Sequence, residues 1–413
     1  MFRKNQTLKN MNWPKNSRAT NERDYGAKSN QSNRGFGENS RLKGKNLRLS
    51  VTRSSLNQTR LLSQKQYIFD RENFLTNYEL LQSKTVGTCG ATIKRNAYGT
   101  GAIRAVKLLS SAGCQHFFVS TIQEGIQIRT CTSGFIYVLS GLGNSEEAKI
   151  CRSFNLTPVL NTPEQLNLWK PYREQPCALH FDTGMNRVGF DHTNPEQLDL
   201  AGFEIRLLLT HLACADDAKH PLNREQITRF EKIKIQFPTT PTSIGNSAGI
   251  FLGPKFQGDI TRPGIGLYGV NPFSDQPNVF SNVVTLKGRV VQIRSVQEVN
   301  SIGYGATYQT LRESRIAIVG VGYADGIPRA LSNIGEVAFG HVRLPIVGRV
   351  TMDAIHIDCS NAPDLQENDY VEIFGNTVSI DSMAQQINTI PYEILTQIGN
   401  AMHSENNQFK ADH

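Results

Sequence analysis

Gly90-Ala91-Thr92-Ile93-Lys94, His116-Phe117-Phe118-Val119-Ser120, Phe135-Ile136-Tyr137-Val138-Leu139-Ser140 and Thr157-Pro158-Val159-Leu160 are short apolar runs, each with a more helical stretch behind it. The series continues through Ala178–Asp182, Ile205–His211, Ser243–Asn246 and Ile260–Leu267. Periodicity alone separates short buried strands poorly from helix fragments. The alternation decides the reading: eight strands alternating with helices over about 200 residues is the arithmetic of an α/β fold, a (β/α)8 TIM barrel. Upstream, Tyr67–Leu81 carries apolar residues at helical spacing after an acidic start, which predicts a helix leading into the barrel. The barrel is therefore assigned to residues 67–284.

Downstream the character changes. Val283–Ile293, Ile316–Val321, Gly335–Phe339 and Tyr370–Phe374 are rich in β-branched residues, with Gly, Pro or Asn turns between them. They predict a mainly β C-terminal domain over 285–400, closed by one helix near Ser382–Ile398, and a polar tail over 401–413. No run approaches the ~18 apolar residues of a spanning helix, which excludes an integral helical membrane protein. The seven cysteines are scattered and none forms Cys-x-x-Cys. That pattern argues against a disulfide framework or a zinc site and fits a reducing, cytoplasmic compartment.

The net charge of +8 is unevenly placed. Residues 1–66 hold 15 Lys/Arg against Glu22, Asp24 and Glu38, a net of +12, whereas the other 347 residues hold 29 basic and 33 acidic side chains, a net of −4. The first segment is also rich in Asn and Ser and poor in large apolar residues, so it is expected to be a disordered basic tail. A dispensable extension, a targeting segment and a weak nucleic-acid contact all fit it. The body carries no general footprint for nucleic acid.

Barrel enzymes place reacting groups where strands end at the C-terminal face. Here those ends read Lys94, Asp182, His211, Asn246-Ser247 and Arg262. A lysine ending an apolar strand either snorkels to the surface or serves as a Schiff-base amine, because an unpaired buried ammonium is costly.

Eight segments in order and spacing resemble the alanine racemase family. They are Thr92–Gly101, Asp182–Gly189, Thr210–Ala213, Gly245–Gly249, Arg262–Gly269, Gly303–Tyr308, Gly322–Gly326 and Pro345–Asp353, within roughly 67–399. The resemblance implies pyridoxal 5'-phosphate (PLP) on Lys94, no metal, an amino-acid substrate and a homodimer with shared active sites. It implies two bases on opposite faces of Cα: Lys94, and Tyr304 from the other subunit. A phenol is a poor base at neutral pH, so His211 and Arg262 are expected to assist Tyr304. Arg262 is expected to face the pyridine nitrogen, which a guanidinium can only approach as a donor. Tyr98, Ser247, Gly264 and Ile265 are expected at the phosphate. Arg187 is expected at the substrate carboxylate, with Met352, Asp353 and Tyr323 at the entrance.

Some positions depart from the family. Many members carry, two residues before the Asp of Asp182-Thr183-Gly184, a lysine that can be carbamylated to orient the arginine. This chain has His180 there, leaving a neutral His180, Asp182 or a bound anion to partner Arg187. Arg95 replaces a small residue and places a further cation near the phosphate; Thr100 stands where His is common. Some members place a phosphate-binding tyrosine at the position of Asn400, where an asparagine amide can also donate. The resemblance implies interconversion of L- and D-alanine for peptidoglycan. The alternatives are a broader amino-acid racemase, a PLP-binding relative of reduced activity, and a PLP homeostasis protein built on the barrel alone.

Overall fold

The computed structural model describes residues 63–273 and 275–411, with side chains as far as residue 403. The tail expected over 1–66 lies outside the described residues except at 63–66. Eight strand positions follow one another around a TIM-like barrel. Ala91–Thr92, His116–Val119, Phe135–Val138, Thr157–Leu160, Cys177–Asp182, Ile205–Leu209 and Thr242–Ser243 are joined in parallel in that order. Ile260–Thr261 pairs in parallel with Thr88–Cys89, just ahead of the first of them. Period-two alternation sorts the side chains. Phe118, Tyr137, Val159, Ala178, Leu207, Leu209 and Ile260 form one packed cluster. Their sequence neighbours Phe117, Ile136, Leu179 and Leu208 join the larger core instead.

The expected strands at Gly90–Lys94, Ser243–Asn246 and Ile260–Leu267 are shorter than their apolar runs. The chain leaves each strand early and spends the remaining residues on the turns that build the site. The expected helix also starts later. Tyr67-Ile68-Phe69 belongs to a strand, Lys65–Phe69, antiparallel to Val284–Val296, with Phe69 opposite Val284 and Lys65 opposite Gly288. The Asp70 carboxylate accepts the Asn73 N–H at 2.9 Å and caps the helix Arg71–Lys84 that follows.

The second domain is an antiparallel sheet around Val284–Val296, a strand of 13 residues whose first half alternates buried and half-buried positions. Tyr370–Phe374 and Ser314–Val319 flank it; Glu336–Phe339 with Val342–Pro345, and Ile355–Asp358, extend the two sides. The single helix expected near Ser382–Ile398 is two helices, Ile380–Gln386 and Pro391–Ala411. The second runs through most of the segment expected as a polar tail. Among the described residues no helix is long and apolar enough to cross a membrane.

Candidate active site

A cavity of about 320 Å³ lies where the barrel strands end, walled by Lys94, Tyr98, His180, Arg187, His211, Ser247, Arg262, Gly264, Ile265 and Tyr392. Thr92, Leu139, Val188, Leu209 and Asn246 complete it. Three of these residues are cations and none is an acid, so the cavity is made for an anionic guest.

Lys94 opens an unusual turn. Arg95, Asn96, Ala97 and Tyr98 have φ of 53°, 53°, 55° and 54°, a left-handed turn without a glycine. Each non-glycine residue there costs roughly 1–2 kcal/mol, so neighbours must impose it. Glu124 accepts the Arg95 N–H at 2.7 Å through Oε1 and the Ser120 N–H at 2.7 Å through Oε2. Asn96 Oδ1 accepts the Ala102 N–H at 2.8 Å, and Tyr67 Oη donates to Gly99 O at 3.1 Å. The C-terminal helix closes on the same turn: a Cβ at Gly399 would lie 2.2 Å from Gly99 O. The turn carries the Tyr98 ring to Gly264, where a Cβ would meet Tyr98 Oη at 2.4 Å.

Electrostatics follow from this crowding. Burial, then the Arg187 charge, with Arg95 and Arg262 adding and Glu124 opposing, hold the Lys94 ammonium below its ordinary value. Arg262 donates from Nη1 to Ser243 Oγ at 2.6 Å, and from Nη2 to Thr210 O at 2.8 Å and His211 Nδ1 at 3.2 Å. A guanidinium can only donate, so Nδ1 of His211 is the acceptor and its proton sits on Nε2. Burial, Arg262 and Arg187 push His211 well below its ordinary value, which keeps it neutral. Burial and Arg187 bring Arg262 down to about 9, still protonated at neutral pH.

Ser247 Oγ accepts the Gly264 N–H at 2.9 Å and the Gly266 N–H at 3.1 Å, which leaves its own proton free to donate. Asp182 ends its strand outside the cavity wall, and its carboxylate accepts the N–H groups of Gly184, Met185 and Arg187 at 2.8, 2.9 and 2.8 Å. Burial would raise that carboxyl, but these bonds outweigh it and hold it below its ordinary value. Asp182 thus fixes the loop that carries Arg187.

The cavity brings together Lys94, Tyr98, Arg187, His211, Ser247, Arg262, Gly264 and Ile265. Tyr304, Tyr323, Met352 and Asp353 lie outside it. Tyr304 is 73% exposed, Met352 53% and Tyr323 43%, all on loops of the β domain. Two of those loops are joined, since the Tyr323 N–H donates to Thr351 O and the Ala324 N–H to Met352 O. Asn400 is exposed and absent from the wall, as is Arg95; Tyr392, one turn pair earlier on the same helix, lines the cavity instead. Tyr392 is a site residue that strand-end reasoning passes over, whereas His180, one of the expected partners of Arg187, lines the wall. The signal for Tyr392 was the helix reaching back to Gly99, which spacing does not show.

Fold and site together define a barrel protein with a strand-end lysine, a neutral histidine backed by an arginine, and a cationic cavity for a small anion. Comparison with known proteins narrows this class. The alanine racemase N-terminal domain pattern matches residues 69–272 and the C-terminal domain pattern matches 283–405. The alanine racemase of Rhodospirillum rubrum is 41% identical over 329 residues, 76% of this chain and 87% of that protein. That of Rhizobium meliloti is 39% identical over 339 residues, 76% of this chain and 88% of its own. The crystal structure of the Bartonella henselae alanine racemase with covalently bound pyridoxal phosphate superposes with a TM-score of 0.78 at 34% identity, covering 82% of this chain and 98% of that one. The chain belongs to the alanine racemase family. Its matched C-terminal domain sets aside the reading as a barrel-only homeostasis protein.

Proposed function

We propose that the protein interconverts L- and D-alanine with PLP held through Lys94. The observation that carries this reading is the meeting of Lys94, His211–Arg262, Arg187 and the Ser247–Gly264 cradle on one cavity that lacks an acid. These residues fit the cofactor. Its phosphate suits the Ser247 proton, the backbone at Gly264 and Ile265, and the Tyr98 and Tyr392 hydroxyls. The absence of a Cβ at Gly264 keeps Tyr98 Oη close to that backbone. Arg262 would face the ring nitrogen as a donor.

When bound, PLP supplies an electron sink that acidifies the Cα–H of the attached amino acid. The chain supplies the rest. Lys94 Nζ, with its ammonium depressed, takes or returns a proton on one face of Cα. Arg187 binds the substrate carboxylate and fixes which face Lys94 meets. Leu139, Val188 and Leu209 shield the cavity with apolar surface.

Racemisation needs a second base on the opposite face. Tyr304 does not reach the cavity of its own chain, so we assign Tyr304 of the partner subunit to that role, in a homodimer with shared sites. The exposed loops bearing Tyr304, Tyr323 and Met352 fit such an interface, with Tyr323, Met352 and Asp353 at the entrance. Seven cysteines without a disulfide among them suit a cytoplasmic setting, where D-alanine would feed peptidoglycan synthesis. The test is borohydride reduction of the PLP-loaded protein followed by peptide mapping. A pyridoxyl group on Lys94, and loss of both label and racemisation in Lys94→Ala, is expected; a label on another lysine would overturn the assignment.

A further inference from the structure

His180 and His211 both face the cavity, and their hydrogen bonds give them opposite polarity. His211 Nδ1 accepts from Arg262, so His211 turns an N–H outward. His180 Nδ1 lies 2.9 Å from Asn161 Oδ1. The amide of Asn161 is oriented by its other end: Nδ2 donates to Val159 O at 2.8 Å and Leu139 O at 3.2 Å. Oδ1 is therefore the acceptor, Nδ1 of His180 carries the proton, and Nε2 is left with a lone pair. Burial, then the Arg262 and Arg187 charges, push His180 down to about 4, so it stays neutral.

Arg187 presents the complementary need. Its backbone is pinned by Asp182, while among the described residues its guanidinium has neither a hydrogen bond nor an ion pair. A flexible side chain that must bind a carboxylate in one pose binds better when its unused donors are held.

We infer that the Asn161–His180 pair is the positioning device for Arg187: Asn161 locks His180 as the Nδ1–H tautomer, and in the substrate-loaded site His180 Nε2 accepts from the guanidinium, a bond the unliganded site does not make. The inference rests on the proposed racemase reading, in which Arg187 binds the substrate carboxylate. A neutral acceptor replaces an anion at this place, so the positive charge of the cavity is left undiminished for the substrate and the phosphate. His180 is a positioning residue and takes no part in moving the proton.

Two measurements test it. In the holoenzyme with 15N-labelled histidine, proton–nitrogen correlations report the tautomer, with the His180 signals assigned by their loss in His180→Gln. The Nδ1–H form is expected; the Nε2–H form would overturn the inference. In kinetics, His180→Leu should raise KM for alanine roughly ten- to a hundredfold, the range for losing a hydrogen bond to a charged group, with kcat changed much less. His180→Gln, which keeps an acceptor near the place of Nε2, should recover most of that loss. An unchanged KM in His180→Leu, or a fall in kcat and melting temperature alone, would overturn it. A wild-type protein that does not racemise alanine would defeat the proposed function instead, and the tautomer measurement would still decide the Asn161–His180 lock.

Discussion

Gly264→Ala is a small change at the point where the left-handed turn meets the Ser247–Gly264 side of the cavity. The added Cβ would stand 2.4 Å from Tyr98 Oη, 3.1 Å from Tyr98 Cζ and 3.5 Å from Thr92 Cβ. An ordinary carbon–oxygen contact is near ~3.4 Å, so the hydroxyl must retreat by about 1 Å. The Tyr98 ring has little room, with the Tyr268 ring at 4.9 Å and the Tyr392 ring at 6.4 Å. Overpacking of this kind costs about 1–3 kcal/mol of stability. In the proposed cradle the retreat would also withdraw the hydroxyl from the PLP phosphate, a charged-group hydrogen bond worth about 1.5–3 kcal/mol. PLP should therefore dissociate roughly tenfold to a hundredfold more readily. The assay is titration of PLP into the apoprotein, followed by absorbance, for the wild type, Gly264→Ala, Tyr98→Phe and the double variant. Because Tyr98→Phe deletes the clashing atom, the two losses should be clearly less than additive. Unchanged PLP affinity in Gly264→Ala, or strict additivity, would refute the reasoning.

Other outcomes follow from the same structure. Mixing Lys94→Ala with Tyr304→Phe protein should restore roughly a quarter of wild-type activity after subunit exchange, since half the dimers would be mixed and each would hold one whole site; no recovery would place both bases in one chain. His116 and His180 are held neutral, mainly by burial, with values lowered from 6.5 to about 4 in the fold. Their contribution to stability is therefore full above pH 6.5 and lost as pH falls through about 4, and the urea midpoint of the apoprotein should drop over that window, less steeply in His180→Gln. A chain beginning at Ser63 should keep full turnover. One beginning at Gln66 loses the Lys65–Asp325 ion pair and the Tyr370 Oη bond to Ser63 O, and should melt measurably lower.

The barrel was legible because its strands lie within apolar runs separated by helices with clear caps. Thr121 with Glu124 forms a capping box, and Thr162 caps a helix that opens on Pro163. Tyr67–Phe69 was not legible as a strand, because its hydrogen-bonding partner is Val284–Gly288 in the other domain while the local spacing is helical. The turn at Arg95–Tyr98 defeats propensity altogether, since four consecutive non-glycine residues adopt φ near 54° only under the grip of Glu124, Asn96 and the C-terminal helix. That helix also explains Tyr392. Only the close approach of Gly399 to Gly99 shows that its ring reaches the cavity. The strand-end residues Lys94, His211 and Arg262 were readable from position, but the direction of the Arg262–His211 bond, and hence the histidine tautomer, required the geometry.

The most direct test of the account is to follow each alanine enantiomer separately with the PLP-loaded protein in deuterium oxide, recording optical rotation and Cα deuterium together. The account predicts that L- and D-alanine each decay to a racemic mixture, with deuterium entering Cα as they do. It further predicts that Tyr304→Phe slows exchange from one enantiomer far more than from the other. Retained optical purity with PLP bound on Lys94, or an equal loss from both enantiomers in Tyr304→Phe, would contradict it.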